Sequence, residues 1–266
     1  MFTLRPADLT ISIATYNGEN FVARTVASAL ATGARVVVSD DGSTDGTRSI
    51  LEQFSPRVEL LFQPRTQGNA ERSQGIAKQN QLLLDACTTP LMLMLEQDDL
   101  VEPKRLLRLN VAPDEVNVLN GWIINGRGAR VCPIYRRPPL HLTTRGVFRG
   151  LRVEHFIKSP SQVIFAPELA RGAGGFLTDA GPTEDSPMDA VPSGDSPGRS
   201  AQDWMRWLRL APTGVSFRLH MRPAIAHRVH TANQSRHHDS HVLSRHALAR
   251  DLPAPPSTDR RLRIAW

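Results

Sequence analysis

Two short acidic segments are the parts of this sequence most suited to chemistry. The first, residues 40–45 (DDGSTD), follows a run that is nearly all valine. Carboxylates there can accept hydrogen bonds from a nucleobase imide or from ribose hydroxyls, and Gly42 lets the backbone turn sharply. Ser43 or Asp45 can also cap the next helix. Capping would employ one or two of these residues, and it leaves the other carboxylates unexplained.

The second acidic segment, residues 96–99 (EQDD), also comes directly after an apolar run. Clustered carboxylates repel one another unless they are solvated or hold a cation. Oxygen ligands suit hard cations such as Mg²⁺ or Mn²⁺, which bind a diphosphate and offset its charge. A short acidic cluster alone is also typical of a solvated loop, so the hypothesis of a cation site depends on both segments together.

Histidine offers a further kind of ligand, since the chain has 9 and most lie near its C-terminal end. His237 and His241 would share one face of a helix, but no cysteine or clear acidic third ligand follows them. The spacing therefore does not favour a dedicated zinc site. The crowded histidines are His227, His230, His237, His238, His241 and His246.

Alternating strands and helices must position the acidic segments. Short β-type runs occupy residues 9–14, 35–39, 58–62 and 91–95, and helical patterns occupy 20–32, 45–54 and a stretch that ends near 87. Gly33 is placed to end the first helix. The alternation predicts βαβ units and a mostly parallel sheet, in which ligands bind beyond the carboxyl ends of the strands. Those ends carry Thr15, Tyr16, Asn17, Asp40, Asp41, Asp98 and Asp99.

The pattern loosens after residue 120. Residues 127–151 show no clear period, and residues 180–200 are rich in Pro, Gly and Ser, which predicts a long mobile loop. Residues 201–211 return to an amphipathic helical pattern, in which Trp204 and Trp207 are predicted to anchor the helix on the core. No internal repeat is visible.

Composition sets only broad limits on the class of protein. The 266 residues are 40% hydrophobic and 22% charged, which is ordinary for a soluble globular protein. We expect no signal peptide and no membrane-spanning helix, and two cysteines fit a reducing cytosol. The net charge of +6 and the pI of about 10.1 favour polyanionic partners, which include diphosphates, anionic lipid and nucleic acid.

The ordered series of motifs resembles the family 2 glycosyltransferases of the GT-A fold. The series spans residues 9 to 235. Each motif by itself is weak evidence for the resemblance, whereas the complete series in this order is strong evidence. The resemblance implies one α/β domain with a Rossmann-like, mostly parallel sheet. It is divided into a nucleotide-sugar half (1–120), an acceptor and catalytic half (121–235) and a basic surface tail (236–266). The matching segments are 11–18, 38–45, 96–103, 174–176, 202–210 and 227–235.

By this resemblance, the donor nucleotide is held at the ends of the first two strands. Thr15, Tyr16 and Asp40 should hold the base and ribose, with Asn17 beside them. The family often has Arg at the position of Gln79, and this departure leaves Lys78 or Arg72 as candidate phosphate partners.

The resemblance also implies a metal site and a general base. Glu96 and Asp98 occupy the family's Asp-x-Asp motif, with Asp98 at the metal-contacting position and Asp99 beside it, and His230 is a further metal or diphosphate contact. Glu96 replaces the usual first Asp and, as a longer side chain, is expected with Asp98 to bind the donor, Glu96 through the ribose. Asp203 occupies the position of the general base. Glu184 and Asp185 are rival bases in the Pro-rich loop, but the helix of Asp203 is better anchored.

The expected activity is an inverting, metal-dependent transfer of a sugar to a hydroxyl of a glycan or lipid-linked acceptor in the cytoplasm. UDP-sugars are the default donors, and Gln97 gives a weak indication of dTDP-sugars. Contact with an anionic membrane would fit the basic charge, whereas the acidic strand ends would repel nucleic acid. The rival hypotheses are a nucleotidyltransferase and a non-catalytic basic module.

Overall fold

The fold is described from a computed structural model, in which the described residues are 1–64, 69–136, 157–176, 215–230 and 263–265. The predicted loop 180–200, the predicted helix with Asp203 and the basic tail lie outside these residues, apart from 263–265. The strands are β1 Phe2–Thr3, β2 Leu9–Thr15, β3 Arg35–Asp40, β4 Glu59–Phe62, β5 Leu91–Glu96, β6 Leu100–Val101, β7 Asn110–Val111, β8 Glu115–Asn125, β9 Arg130–Pro133, β10 Val163–Phe165, β11 Ser216–Val229 and β12 Arg263–Ala265. The helices are α1 Val22–Leu30, α2 Thr47–Glu52, α3 Asn69–Ala86, α4 Pro103–Leu106 and α5 Pro167–Gly172, with 3-10 turns at Pro6–Asp8 and Pro160–Gln162.

One large sheet organises the described residues. Its order is β12-β11-β8-β10-β5-β2-β3-β4, with β6 beside β11 and β9 beside β8, while β1 and β7 form a separate two-stranded ladder. The neighbours β5, β2, β3 and β4 are parallel, as the strand–helix alternation predicts. The predicted α/β fold with a Rossmann-like central sheet is confirmed in this half. Strands β2 and β3 each run one residue further than predicted, to Thr15 and Asp40.

Along the main path of the described sheet, the antiparallel strand β10 interrupts the parallel order, and β6 and β9 are antiparallel additions beside β11 and β8. Strand β10 pairs antiparallel with both β5 and β8, so β8 again runs in the direction of β5, and β11 pairs parallel with β8. The sheet is therefore mixed rather than uniformly parallel. The carboxyl ends of β2, β3, β5, β8 and β11 all lie at one edge, and β8 passes through the predicted boundary at residue 120.

Apolar side chains cover both faces of the sheet. Along β5, Leu91, Leu93 and Leu95 join a core that includes Val22 and Val26 of α1, whereas Met92 and Met94 join a second core that includes Leu83 and Leu84 of α3. Helix α1 ends as predicted, since Gly33 adopts the left-handed conformation with φ +72°. No described helix combines the length and the hydropathy that crossing a membrane would require.

The strands β8, β9, β10 and β11, like the short strands β1, β6, β7 and β12, have no counterpart among the predicted elements. In β11 the apolar period is masked by buried polar side chains, because Arg218 and His220 point into the protein. Arg218 donates to Glu115 of β8 at 2.6 Å, and the ring of His220 lies 3.2 Å from the amide oxygen of Asn117. Each of these polar side chains can be buried because it has a hydrogen-bond partner on the neighbouring strand β8. Those partners lie about 100 positions earlier in the chain.

Candidate active site

The turn after β2 and the loop after β3 form one hydrogen-bonded corner of the sheet edge. Asp40 is buried, and its two carboxylate oxygens accept hydrogen bonds from the backbone N–H and the hydroxyl of Ser43. Asn17 has φ 50°, and its side-chain oxygen accepts from Thr44 N at 2.9 Å. Asp40 thus shapes the loop that contains Gly42, and Asn17 joins that loop to the preceding strand.

The side chain of Gln79 in α3 links the ends of β2 and β3. Its buried side-chain NH₂ donates to the carbonyl oxygens of Thr15 at 3.0 Å and of Ser39 at 2.9 Å. The residue that stands in place of the family's Arg therefore bonds to the backbone of β2 and β3. Its neighbour Lys78 is exposed on α3, and the side chain of Arg72 lies outside the described part of the chain.

Asp98 forms a pair with His230 just beyond the ends of β5 and β11. Nε2 of His230 lies 2.8 Å from Oδ2 of Asp98, and each side chain is 15% exposed, so the pair is open to ligands at the surface of the site. The ring of Phe21 packs against the ring of His230, with 4.6 Å between the centroids. The structure thus brings together the two proposed metal residues that lie furthest apart in the sequence.

Asp99 forms a second acid–histidine pair, whose carboxylate is more deeply buried than that of Asp98. The Asp99 side chain has no exposed surface, and Nδ1 of His227 lies 3.0 Å from its Oδ2. Its Oδ1 accepts from Arg228 N at 2.8 Å. The hydroxyl of Ser159 lies within hydrogen-bond distance of both Asp99 and Glu96, at 3.1 Å and 2.8 Å.

His227, Arg228 and Ser159 are described site residues to which the sequence assigned no role, since His230 was the one histidine predicted to be in the site. The sequence offered one indication of the role of His227, which is that two acids, Asp98 and Asp99, could pair with two nearby histidines, His230 and His227. Spacing along the chain cannot reveal these pairs, because the acids and the histidines are about 130 residues apart.

Arg228 places a buried positive charge between these pairs. Its guanidinium donates to the carbonyl oxygens of Asp98 at 2.7 Å, Asn125 at 3.2 Å and Gly126 at 3.1 Å. The same group lies 5.0 Å from the centroid of the Phe21 ring. Arg228 therefore holds the ends of β5, β8 and β11 together at the site.

Burial of several carboxylates in one place changes their protonation. Burial and the charges of Asp99 and Asp98 raise the pKa of Glu96 to about 8, and burial and Asp99 also raise the pKa of Asp98. Burial by itself lowers the pKa of His227, but its hydrogen bond to Asp99 and the surrounding carboxylates outweigh burial and raise the pKa to about 9. The cluster thus carries an excess of buried negative charge that favours binding of a proton or a cation.

The ligand types fit a divalent cation. One ligand atom each of Glu96, Asp99 and His227 lies within 4.8 Å of the others, and the Asp98–His230 pair adds a carboxylate and an imidazole. The 2.8 Å between Nε2 of His230 and Oδ2 of Asp98 is a hydrogen-bond distance, so this imidazole and this carboxylate lie close enough together to contact one ligand. Carboxylate and imidazole together suit Mn²⁺, and the oxygens suit Mg²⁺.

The predicted general base Asp203 and the rival carboxylates Glu184 and Asp185 lie outside the described residues. The predicted donor and metal residues at the strand ends lie along this edge of the sheet, whereas Lys78 lies on α3 and the side chain of Arg72 is outside the described part of the chain. Asp203 remains a prediction of the resemblance.

Comparisons with known proteins cover different parts of the chain. Residues 10–112 match the model of glycosyl transferase family 2. The succinoglycan biosynthesis protein ExoO of Rhizobium meliloti (strain 1021) is 30% identical over 138 residues, which are 47% of this chain and 36% of that protein. The succinoglycan biosynthesis protein ExoU of the same strain is 35% identical over 111 residues, which are 41% of this chain and 31% of that protein. The chain thus spans about a third of the length of the curated relatives that it matches.

Solved structures share the fold at low sequence identity. The structure of S. aureus TarS 1-349 in complex with UDP has a TM-score of 0.54 and 17% identity, and the match covers 83% of this chain and 60% of that one. The complex of the same protein with UDP-GlcNAc has a TM-score of 0.55 and 16% identity over 85% and 59% of the two chains. Residues 10–112 are thus similar to glycosyl transferase family 2, and the chain shares its fold with the TarS structures.

Proposed function

We propose that the chain transfers a sugar from a UDP- or dTDP-linked donor to a hydroxyl of a glycan or lipid-linked acceptor, with inversion of the anomeric carbon. The observation that carries this proposal is the Asp98–His230 pair, 2.8 Å apart at the carboxyl edge of the sheet and beside the corner formed by Thr15 and Asp40. Matches to succinoglycan biosynthesis proteins and to complexes with UDP and UDP-GlcNAc support a nucleotide-sugar donor and a glycan product.

In this proposal, the nucleoside binds at the corner between β2 and β3. Thr15, Tyr16, Asn17 and Asp40 contact the base and ribose, and the hydrogen bonds that fix Asp40 and Asn17 would preorganise that surface. Lys78, exposed on α3, is the proposed phosphate contact. Preorganised contacts lower the entropy that is lost when the nucleotide binds.

The proposed cation residues are Asp98, Asp99 and His230, with Glu96 beside them. When Mn²⁺ or Mg²⁺ is bound, it offsets the negative charge that develops on the departing nucleoside diphosphate. Asp99 would be a ligand held within the protein, because its side chain is buried, and Asp98 and His230 would be accessible to an ion from solvent, because each is 15% exposed.

The proposed base is Asp203. Its carboxylate takes the proton from the acceptor hydroxyl while that oxygen attacks the anomeric carbon and the bond to the diphosphate breaks. A carboxylate with a reference pKa of about 4 is a weak base at rest, so it accepts the proton as the hydroxyl becomes acidic in the transition state. A single displacement of this kind inverts the anomeric configuration.

We also propose that the protein works in the cytoplasm and contacts the anionic surface of a membrane. The net charge of +6 supports that contact. Binding to vesicles that contain phosphatidylglycerol, and its loss at high salt, would measure the electrostatic part of the interaction.

The test of the proposed function is the product that is released from the donor. Purified protein is incubated with UDP-glucose or dTDP-rhamnose, with Mn²⁺ or with EDTA, and nucleoside diphosphate is measured. Release that needs Mn²⁺ and is lost in Asp98→Asn is the expected result. Release of nucleoside monophosphate together with sugar 1-phosphate would instead indicate nucleotidyl chemistry. A protein that neither hydrolyses nor binds any sugar nucleotide would contradict the proposal.

A further inference from the structure

Gln97 lies between Glu96 and Asp98 of the candidate metal motif, yet its side chain contacts the turn after β2, where the nucleoside is proposed to bind. The Thr15 hydroxyl donates to Gln97 Oε1 at 2.6 Å, and the backbone N–H of Tyr16 donates to the same oxygen at 3.0 Å. The backbone carbonyl of Gln97 accepts from the Thr25 hydroxyl of α1 at 2.7 Å. Gln97 therefore connects β5 to the turn after β2 and to the helix behind it.

This contact begins where the backbone pairing of the two strands ends. The parallel ladder of β2 and β5 runs through the pair Ala14 and Glu96. One residue further along each strand, the side chain of Gln97 replaces the backbone as the hydrogen-bond partner of the turn. Because the backbone N–H of Tyr16 can only donate, the Gln97 atom that faces it must be the oxygen, and the Thr15 hydroxyl must donate as well.

The space around this contact is full. A Cβ atom added to Gly18 would lie 2.6 Å from Gln97 Oε1 and 2.8 Å from Thr15 Oγ1, closer than side-chain carbons approach such atoms. Thr15 is also buried. The turn at residues 15–18 therefore packs directly against the Gln97 carboxamide.

We propose that Gln97 is a positioning residue for the nucleoside pocket of this chain. By accepting from both Thr15 and Tyr16, it holds in place the turn on which the base and ribose of the donor are proposed to bind. The proposal rests on the proposed function, and it assigns to the middle residue of the acidic motif a role that differs from those of Glu96 and Asp98. Gln97 sets the affinity for the nucleoside and leaves the chemical step unchanged.

The test compares Gln97→Met, which keeps the length of the side chain but cannot accept these bonds, with the parent protein. Uridine in EDTA and UDP with Mn²⁺ are titrated by calorimetry. We expect about tenfold weaker binding of both, since losing hydrogen bonds to one buried oxygen amounts to roughly 1.4 kcal/mol. With UDP-glucose the KM should rise by a similar factor, and kcat should not change. Gln97→Glu retains an accepting oxygen and should restore most of the affinity for uridine.

Gln81→Met is the matched control, because Gln81 of α3 is also half-buried and accepts from a backbone N–H, that of Phe176, at 2.7 Å. Uridine affinity should be unchanged in this variant. Equal losses in both Met variants, a lower kcat at unchanged KM, or parent-like uridine binding by Gln97→Met would each overturn the role of Gln97. If Gln97→Met does not fold, Gln97→Asn withdraws the same oxygen by one methylene and is judged by the same titrations. A parent protein that binds no UDP would contradict the proposed function itself.

Discussion

At the scale of single residues, the candidate site consists of two acid–histidine pairs. The outer pair, Asp98 with His230, is partly exposed, whereas the inner pair, Asp99 with His227, has a fully buried carboxylate. Arg228, which is almost wholly buried, contacts both pairs through the Asp98 carbonyl oxygen and the Asp99 carboxylate. A buried charge without its partner is strongly destabilising, so each pair makes its members interdependent. A substitution in the outer pair should therefore affect ligand binding first, whereas one in the inner pair should also affect folding.

The outer pair should determine metal-dependent binding of the nucleotide. We expect Asp98→Asn and His230→Gln each to weaken UDP binding in Mn²⁺ at least tenfold, because each removes one proposed ligand of the ion. Binding of uridine in EDTA should remain within twofold of the parent. Isothermal titration measures both values. Asp114→Asn, a change at an exposed carboxylate, is the control, and unchanged UDP affinity in the two site variants would remove this pair from the metal site.

The inner cluster should make the metal-free protein less stable at alkaline pH. In the folded state Glu96 keeps its proton to about pH 8 and His227 to about pH 9, whereas unfolded chains lose these protons near 4.5 and 6.5. From pH 6.5 upward the folded state therefore binds more protons than the unfolded state. The free energy of unfolding should then fall as the pH rises from 6.5 to 9.

Urea denaturation in EDTA at these two pH values measures the effect. The double variant Glu96→Gln/His227→Gln lacks both titrating groups, so its free energy of unfolding should depend less on pH. A parent protein that is more stable at pH 9 than at pH 6.5 would contradict the raised pKa values.

At the scale of elements, the long parallel ladder between β8 and β11 carries the second half of the site. It aligns Gly121 with Ile225 and brings the end of β11 beside Asn125. Arg218 and Glu115 form a buried ion pair within it, and burial together with the charge of Arg218 lowers the pKa of His220 to about 4, so this histidine is neutral in the folded protein. The ladder therefore combines close backbone packing with specific polar contacts.

Close packing in this ladder predicts that Gly121→Ala is destabilising. An added Cβ would lie 2.6 Å from the Ile225 side chain and 2.8 Å from the Ile225 carbonyl oxygen, and the backbone atom cannot rotate away. We expect a loss of about 1–3 kcal/mol in the free energy of unfolding, as for other overpacked interiors. Chemical denaturation measures it. Gly172→Ala in α5 is the matched control, since nothing lies within 4 Å of its added Cβ, and it should not lower stability. Equal stability of both variants would contradict this packing.

At the scale of the whole molecule, distant segments of the chain meet at one edge of the sheet. Residues that follow β5 contact residues at the end of β11 across a separation of about 130 positions. The antiparallel strand β10 lies between β5 and β8 and completes the sheet that aligns them. The donor side and the metal side of the proposed site therefore depend on the integrity of the complete sheet.

Because the proposed base Asp203 is separate from the proposed donor site, its substitution should lower turnover without weakening nucleotide binding. Asp203→Asn keeps the size of the side chain but cannot accept a proton, so UDP binding should persist while transfer falls by about 10²–10⁴. The double variant Glu184→Gln/Asp185→Asn should change transfer only modestly. Single-turnover transfer at saturating donor compares both with the parent. An active Asp203→Asn beside an inactive double variant would move the base to residues 184–185.

Local sequence determined much of the first half of the fold. The burial of a strand rich in valine or leucine, or of the apolar stripe of α1, can be recognised from a short stretch of sequence. For this reason β2, β3, β5 and α1 were predicted close to their observed bounds. The end of a parallel strand is a local feature as well. For that reason Asp40 and Asp98 could be assigned to one edge of the sheet before any contact was known.

Only the tertiary structure decided which residues satisfy one another across that edge. The pairing of Asp99 with His227, the contact of Gln97 with Thr15 and Tyr16, and the burial of Arg218 in β11 each depend on a partner far away in the chain. A polar residue buried against such a partner resembles an exposed residue in the sequence. Periodicity records the burial of apolar groups, whereas the hydrogen bonds that bury polar groups are determined by the three-dimensional arrangement of the strands.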